Sequence, residues 1–248
     1  MSAERVIFGF HTVLARLRAD VKSVLEVYLD ESRKDSRAKD FAGQVESAGV
    51  RLMRVSATRL DGMAGGGRHQ GVVARVRADT QKQTLEELLE GLEAAKVAPL
   101  LLVLDGITDP HNLGACLRVA NAAGAHAVIA PKDHAAGINA TVSKVASGAA
   151  EITPYFMVTN LARTLADLKD RNIWVVGTDE RAERTLFDAD LPSSAAWVLG
   201  AEGPGMRRLT RESCDLLVRI PMQGQVESLN ASVAAGICLF ESVRRRLN

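Results

Sequence analysis

Aromatic residues are scarce: six Phe, two Trp and two Tyr make up 4% of the 248-residue chain. So few rings give little to stack unpaired bases on, which argues against a general single-strand binder. An excess of charge is also missing. Lys and Arg number 31 and Asp and Glu 30, for a formal net charge of +1, so this is no polycation that coats nucleic acid. Neither scarcity excludes a local binding face. The three cysteines, Cys116, Cys214 and Cys238, are odd in number and widely spaced and form no CxxC. A disulfide framework or a zinc site is therefore not expected, nor is any other metal, and a reducing cytoplasm fits best. Long apolar runs are absent as well. The strongest, at residues 99–104, is far too short to cross a bilayer, so no membrane partner is expected. The first ten residues carry Glu4 and Arg5 and no apolar stretch of the kind a secretory signal needs. What remains is ordinary globular composition, 47% apolar and 25% charged, enough for one large domain or two modest ones.

Charge is unevenly spread. Residues 1–75 hold 13 Lys and Arg against 9 Asp and Glu, a balance of +4, and the remainder holds 18 against 21, a balance of −3. A small basic unit followed by a larger, slightly acidic one suggests two domains. The first reads as mixed α/β. It has helical spacing over 11–19 (Val13, Leu14, Leu17), a surface helix over 32–48, and strands at 24–29, 50–55 and 71–76. Gly65-Gly66-Gly67-Arg68-His69-Gln70-Gly71 reads as a mobile loop that can approach a phosphate backbone closely, with Arg68 and His69 as candidate contacts. It lacks the GxxxxGK[ST] of a P-loop. Residues 78–83 read as a polar linker. Thr84 and Glu87 then form a capping box for a helix with Leu85, Leu88, Leu89 and Leu92 on one stripe.

From residue 100 the pattern alternates. Strands are expected at 100–104, 126–130, 152–158, 173–177, 196–200 and 216–220. Helices are expected at 112–123, 138–150, 161–170, 206–212 and 228–247. The run at 100–104 is continuously apolar, as in a buried parallel strand. Such alternation predicts an α/β doubly wound domain that binds ligands at the carboxyl ends of its strands.

Three loops there carry chemistry. The first, 105–118, opens a helix with Asn112-x-Gly114-x-x-x-Arg118, and either Asp109 or Asn112 can cap it. The second, Leu199-Gly200-Ala201-Glu202-Gly203-Pro204-Gly205, lets backbone groups approach a ligand, and a buried Glu202 would need partners. It is not GxGxxG, which disfavours a nicotinamide dinucleotide. The third runs from Ile220-Pro221-Met222-x-Gly224 to Ser228-Leu229-Asn230-x-Ser232. Ser228 can cap the last helix, and local capping accounts poorly for Asn230 and Ser232, which tilts both toward a site.

Together these loops resemble the three motifs of the SpoU (TrmH-type) RNA ribose methyltransferases of the SPOUT superfamily. The stretch 104–118 is particularly like members that methylate a guanosine 2′-hydroxyl in 23S rRNA. Residues 66–72 look like the end of that family's L30e-like RNA-binding domain. The resemblance implies an L30e-like domain over 1–76, a linker with a helix over 77–98 and a knotted (trefoil) parallel-sheet α/β catalytic domain over 99–248. It implies S-adenosyl-L-methionine as cofactor, its adenine met mainly by backbone groups of Leu199, Gly200, Ile220, Pro221, Met222, Ser228 and Leu229, with Glu202, Gly203 and Asn230 also in the cofactor site. It implies catalytic roles for Asn112, Arg118, Glu202, Asn230 and Ser232, RNA contact by Arg68, His69 and Arg118, and a homodimer. A tRNA ribose methyltransferase and a non-catalytic ribosome assembly factor stand as alternatives.

Overall fold

A computed structural model describes residues 4–77 and 83–247. Contacts divide the chain into two units. The first takes residues up to 82 together with 138–152, and the second takes 83–137 and 153 onward. The linker expected at 78–83 lies, up to residue 82, outside the described residues.

In the first unit, β1 (Glu4–Phe8), β2 (Val24–Asp30), β3 (Leu52–Val55) and β4 (Val72–Arg77) form a sheet in the order β1-β4-β2-β3. The β1–β4 and β2–β4 pairs are antiparallel and β2–β3 is parallel. Between the strands run α1 (Phe10–Ala19), α2 (Ser36–Ser47) and α3 (Ala57–Ala64). The Asp35 side chain caps α2 by accepting from the Ala38 amide. Val13, Phe41 and Val45 pack on Val27, Leu29, Val72 and Ala74 as one buried core.

Residues 138–152 complete this unit. Asn139 caps α6 (Ala140–Val145) by accepting from the Val142 amide. The helix expected over 138–150 is shorter because Ser147 and Gly148 turn left-handed, at φ 51° and 95°, and break the hydrogen-bond ladder. A 3-10 turn, Ala149–Glu151, then carries Glu151 into α1. Its Oε2 accepts from Arg16 at 3.0 Å and from Arg5 at 2.5 Å, and the Arg16 side chain is only 3% exposed. A buried guanidinium of this kind is strongly destabilising without its carboxylate.

The second unit is built on seven strands: β5 (Leu100–Asp105), β6 (Ala127–Pro131), β7 (Tyr155–Val158), β8 (Trp174–Thr178), β9 (Arg184–Thr185), β10 (Ala195–Gly200) and β11 (Leu216–Arg219). Their order is β7-β6-β5-β10-β8-β11-β9, and every pair is parallel. β5 is buried along its whole length. Its helices are α4 (Leu85–Ala94), α5 (Pro110–Ala122), α7 (Leu161–Asp170), α8 (Arg208–Glu212) and α9 (Ala231–Arg246). Both halves of the Thr84–Glu87 capping box form on α4. Leu165 and Leu168 of α7 join Leu101, Val103, Ile129, Val175 and Val198 in the core. No helix among the described residues is long and apolar enough to cross a membrane.

Candidate active site

The carboxyl ends of β5, β8, β10 and β11 carry the site. β10 ends at Gly200, paired in register with Asp105 at the end of β5. The chain then folds back on itself. Ala201 and Gly205 form an antiparallel bridge, with the Gly205 amide donating to the Ala201 carbonyl at 2.9 Å. A Cβ on Gly200 would lie 2.0 Å from the Gly205 carbonyl carbon and 2.1 Å from the Met206 amide nitrogen. Only glycine permits that approach, because both obstacles are backbone.

This hairpin borders a cavity of about 760 Å³. Leu199, Gly200, Glu202, Gly203, Ile220, Met222, Ser228 and Leu229 all line it, together with Thr178, Met206 and Ala234. Pro221 and Asn230, expected among the cofactor contacts, are not lining residues. One end of the cavity is charged. Asp179 there accepts from the Arg211 guanidinium and from the Arg181 amide. Burial alone would raise the Asp179 pKa, and those donors hold it below the usual carboxylate value.

At the rim Glu202 gathers three donors on one oxygen. Its Oε1 accepts from Asn230 Nδ2 at 2.7 Å, from Asn112 Nδ2 at 3.2 Å and from the Ala231 amide at 3.2 Å. Asn230 Nδ2 also donates to Asn112 Oδ1 at 2.8 Å. Three motif residues, far apart in sequence, thus form one polar cluster. Glu202 is exposed, so these bonds orient a solvated carboxylate.

The last helix starts later than expected. Asn230 caps α9, accepting from the Ser232 amide at 3.0 Å and from the Ser232 hydroxyl at 2.6 Å. Ser228 lies before the cap, because the Asn230 carboxamide satisfies the first free amide while its other end reaches Glu202. Capping therefore accounts for Asn230 and Ser232 after all, alongside the contact with Glu202. At the first loop Asp109 is the cap, accepting from the His111 and Asn112 amides, so Asn112 lies inside α5. Arg118 projects from the exposed side of α5 and makes no hydrogen bond or ion pair among the described residues. The geometry does not join it to the Glu202 cluster.

Cys116, on the buried side of α5, is pushed up to about 12, first by burial and then by the negative charge of Glu202. It stays a thiol at neutral pH and is no nucleophile. Among the described residues no group of His, Cys, Asp and Glu could hold a metal ion.

In the first unit the glycine loop is tied down rather than loose. His69 Nδ1 accepts from the Gly71 amide at 3.0 Å, so the ring proton is on Nε2, which meets Asp61 Oδ1 at 2.9 Å. Both ring nitrogens are thus occupied, while Arg68 is exposed.

Sequence reasoning passed over one feature. Asp105, 1% exposed, accepts from the Arg207 amide at 2.8 Å and from Arg207 Nε at 2.7 Å. The signal that was present is a carboxylate ending an otherwise apolar strand, which demands a partner.

The SpoU rRNA Methylase family model matches residues 99–240, and a model for RNA 2'-O ribose methyltransferase substrate binding matches residues 6–82. The chain belongs to the SpoU rRNA methylase family. It is 60% identical to the 23S rRNA (guanosine-2'-O-)-methyltransferase RlmB of Ralstonia nicotianae, over 99% of this chain and 98% of that one. It is 53% identical to the protein of the same name from Yersinia pestis, over 97% of each. Among solved structures, the SpoU methyltransferase AviRb from Streptomyces viridochromogenes, crystallised with AdoMet, superposes with a TM-score of 0.79 at 25% identity. That match covers 99% of this chain and 91% of AviRb. An RNA 2'-O ribose methyltransferase matches equally well, at a TM-score of 0.79 and 29% identity over 99% and 90% of the two chains.

Proposed function

We propose that the protein transfers a methyl group from S-adenosylmethionine to the ribose 2′-oxygen of a guanosine in 23S rRNA. Its full-length similarity to relatives named for that reaction carries the reading. The site fits the cofactor. The cavity offers backbone groups of the Gly200 hairpin beside the apolar side chains of Leu199, Ile220, Met222 and Leu229. That part of the lining suits a purine met by backbone; Asp179, Glu180 and Glu227 line the cavity as well. When bound, the cofactor supplies a methyl group already activated by the positive sulfur.

The chain's own task is alignment and charge. A guanidinium is a poor general base, so another task is assigned to Arg118. It holds the target phosphate and stabilises charge developing on the 2′-oxygen. Asn112, Glu202, Asn230 and Ser232 position the ribose and fix the hairpin. An Arg118→Lys variant with near-normal turnover would rule out a need for the planar guanidinium.

Residues 1–76 bind the RNA, with Arg68 among the contacts. Residues 77–98 connect, and residues 99–248, apart from 138–152 which complete the first unit, carry the transfer. The occupied ring of His69 makes it a loop-positioning residue rather than a phosphate contact. A trefoil knot at the C-terminal end of the catalytic domain and action in the cytoplasm belong to the same reading. So does a homodimer. Leu239 of α9 is core, but Val233 and Phe240 stand 49% and 47% exposed seven residues apart, on one face of the helix. A fully active monomer would sink the dimer.

Tritiated S-adenosylmethionine, offered with unmodified 23S rRNA fragments or with bulk tRNA, tests the whole. Label in the rRNA is expected. Label only in tRNA points to the tRNA enzyme, and cofactor binding without transfer points to an assembly factor.

A further inference from the structure

We infer that Asp105 is a positioning residue which, through Arg207, holds the 200–206 hairpin in its cofactor-ready shape. This rests on the cavity being the S-adenosylmethionine site.

The hairpin is fixed at three points. At its start, Gly200 lies against the backbone of Gly205 and Met206. At its tip, Glu202 is held by Asn112, Asn230 and the Ala231 amide. At its exit, Arg207 is gripped by Asp105. Oδ2 of Asp105 takes the Arg207 amide at 2.8 Å, while Oδ1 takes Nε at 2.7 Å and lies 2.7 Å from Nη2. One carboxylate therefore fixes both the main chain and the side chain of the residue that follows the hairpin.

Asp105 is suited to this role and not to the chemistry. Its side chain has no exposed surface, and the hydrogen bonds its carboxylate accepts come from Arg207. It does not line the cavity. The Arg207 side chain is 49% exposed, so its fork covers the buried acid from the solvent side. A buried carboxylate without that partner would pull water or protons into the strand end, and the hairpin exit would move. Asp105 and Gly200 are register partners in the central strand pair. The anchor therefore stands on a strand buried along its whole length, which favours a preorganised loop over one ordered on binding.

The test uses the full chain with Arg207→Ala, Arg207→Lys and Asp105→Asn. S-adenosylmethionine affinity is measured by calorimetry, and KM for each substrate and kcat by tritium transfer to 23S rRNA fragments. Arg207→Ala should weaken cofactor binding and raise its KM about tenfold, a loss of preorganisation. The KM for RNA and kcat at saturating cofactor should stay within about twofold. Arg207→Lys, which keeps the charge but not the fork, should recover part of the loss. Asp105→Asn, if it folds, should resemble Arg207→Ala. Cofactor affinity within twofold of wild type in a folded Arg207→Ala protein would overturn the proposal. So would a uniform fall in melting temperature, RNA affinity and kcat that lysine does not relieve. A wild-type protein that binds no S-adenosylmethionine is a separate outcome, which removes the functional reading itself and the inference with it.

Discussion

Two glycine-rich loops, at 65–71 and 200–205, look alike in sequence, yet the chain uses their glycines differently. In the first, a Cβ on Gly71 would come within 3.2 Å of Arg33 Cδ and 3.3 Å of Asp30 Cβ, both side-chain atoms. In the second, a Cβ on Gly200 would meet main chain at 2.0 Å. A flexible stem can yield by a few tenths of an ångström; a backbone bridge cannot. The first loop adds side chains to its backbone turns, through His69 on the Gly71 amide and Arg33 on the Gln70 carbonyl. The second is closed by its own backbone and then pinned from outside, by Asn112 and Asn230 on Glu202 and by Asp105 on Arg207. Glycine content alone therefore says little; what the missing Cβ would strike says more.

The largest expected effect sharpens this contrast. Gly200→Ala should abolish detectable S-adenosylmethionine binding and methyl transfer, a loss beyond about 100-fold, because overpacking against backbone forces the hairpin open. Calorimetry on the purified variant checks it, and normal binding would break the comparison. Glu202→Ala comes next. Removing the acceptor of three donors should lower kcat about 100-fold, as misplacement by an ångström can, with the circular dichroism spectrum unchanged. Gly71→Ala should do far less. Its φ of 84° makes any side chain unfavourable, a cost of about 1 kcal/mol or a fall of about 3 °C in melting temperature. Its cofactor affinity should equal wild type.

The smallest effect is acid sensitivity near the first loop. The hydrogen bond from Arg33 holds Asp35 down from the ordinary 3.8 to about 2, with burial opposing and the Ala38 amide assisting. A depressed carboxylate stabilises the fold fully above pH 3.8 and loses that contribution as pH falls through about 2. Asp35→Asn should therefore flatten the stability profile slightly in this window, as followed by denaturant unfolding at each pH. An unchanged profile would mean that Arg33 holds Gln70 without help from Asp35.

Much of the second unit could be read ahead because its signals are local. Residues 100–104 are apolar throughout and form the dry strand β5, and Thr84 with Glu87 cap α4 as their spacing implies. The first unit hid more. β1 is five residues long with Val6 37% exposed, too short a pattern to stand out near a chain start. α3 offered only Leu60 as a buried residue on one face. The motif residues of the site could be chosen by resemblance, but their wiring could not. Asn112 and Glu202 are 90 residues apart, and Asp105 and Arg207 are 102 apart. Nothing local records such partners. The double use of Asn230, one end capping α9 and the other on Glu202, emerges only when the two elements meet.

The order of the strands also sets a clock. The central pair of the second sheet joins Leu100–Asp105 to Ala195–Gly200. At a synthesis rate of about 5–20 residues per second, one edge of β5 waits roughly 5–20 s for β10 to be made, while β6 reaches the other edge sooner. The first unit waits too, since Glu151, the counter-ion of its buried Arg16, is encoded long after the rest of that unit. Neither unit can finish while the nascent chain is short. The apolar strand β5 therefore spends those seconds with one edge unpaired, when a growing chain is most open to aggregation or to a chaperone.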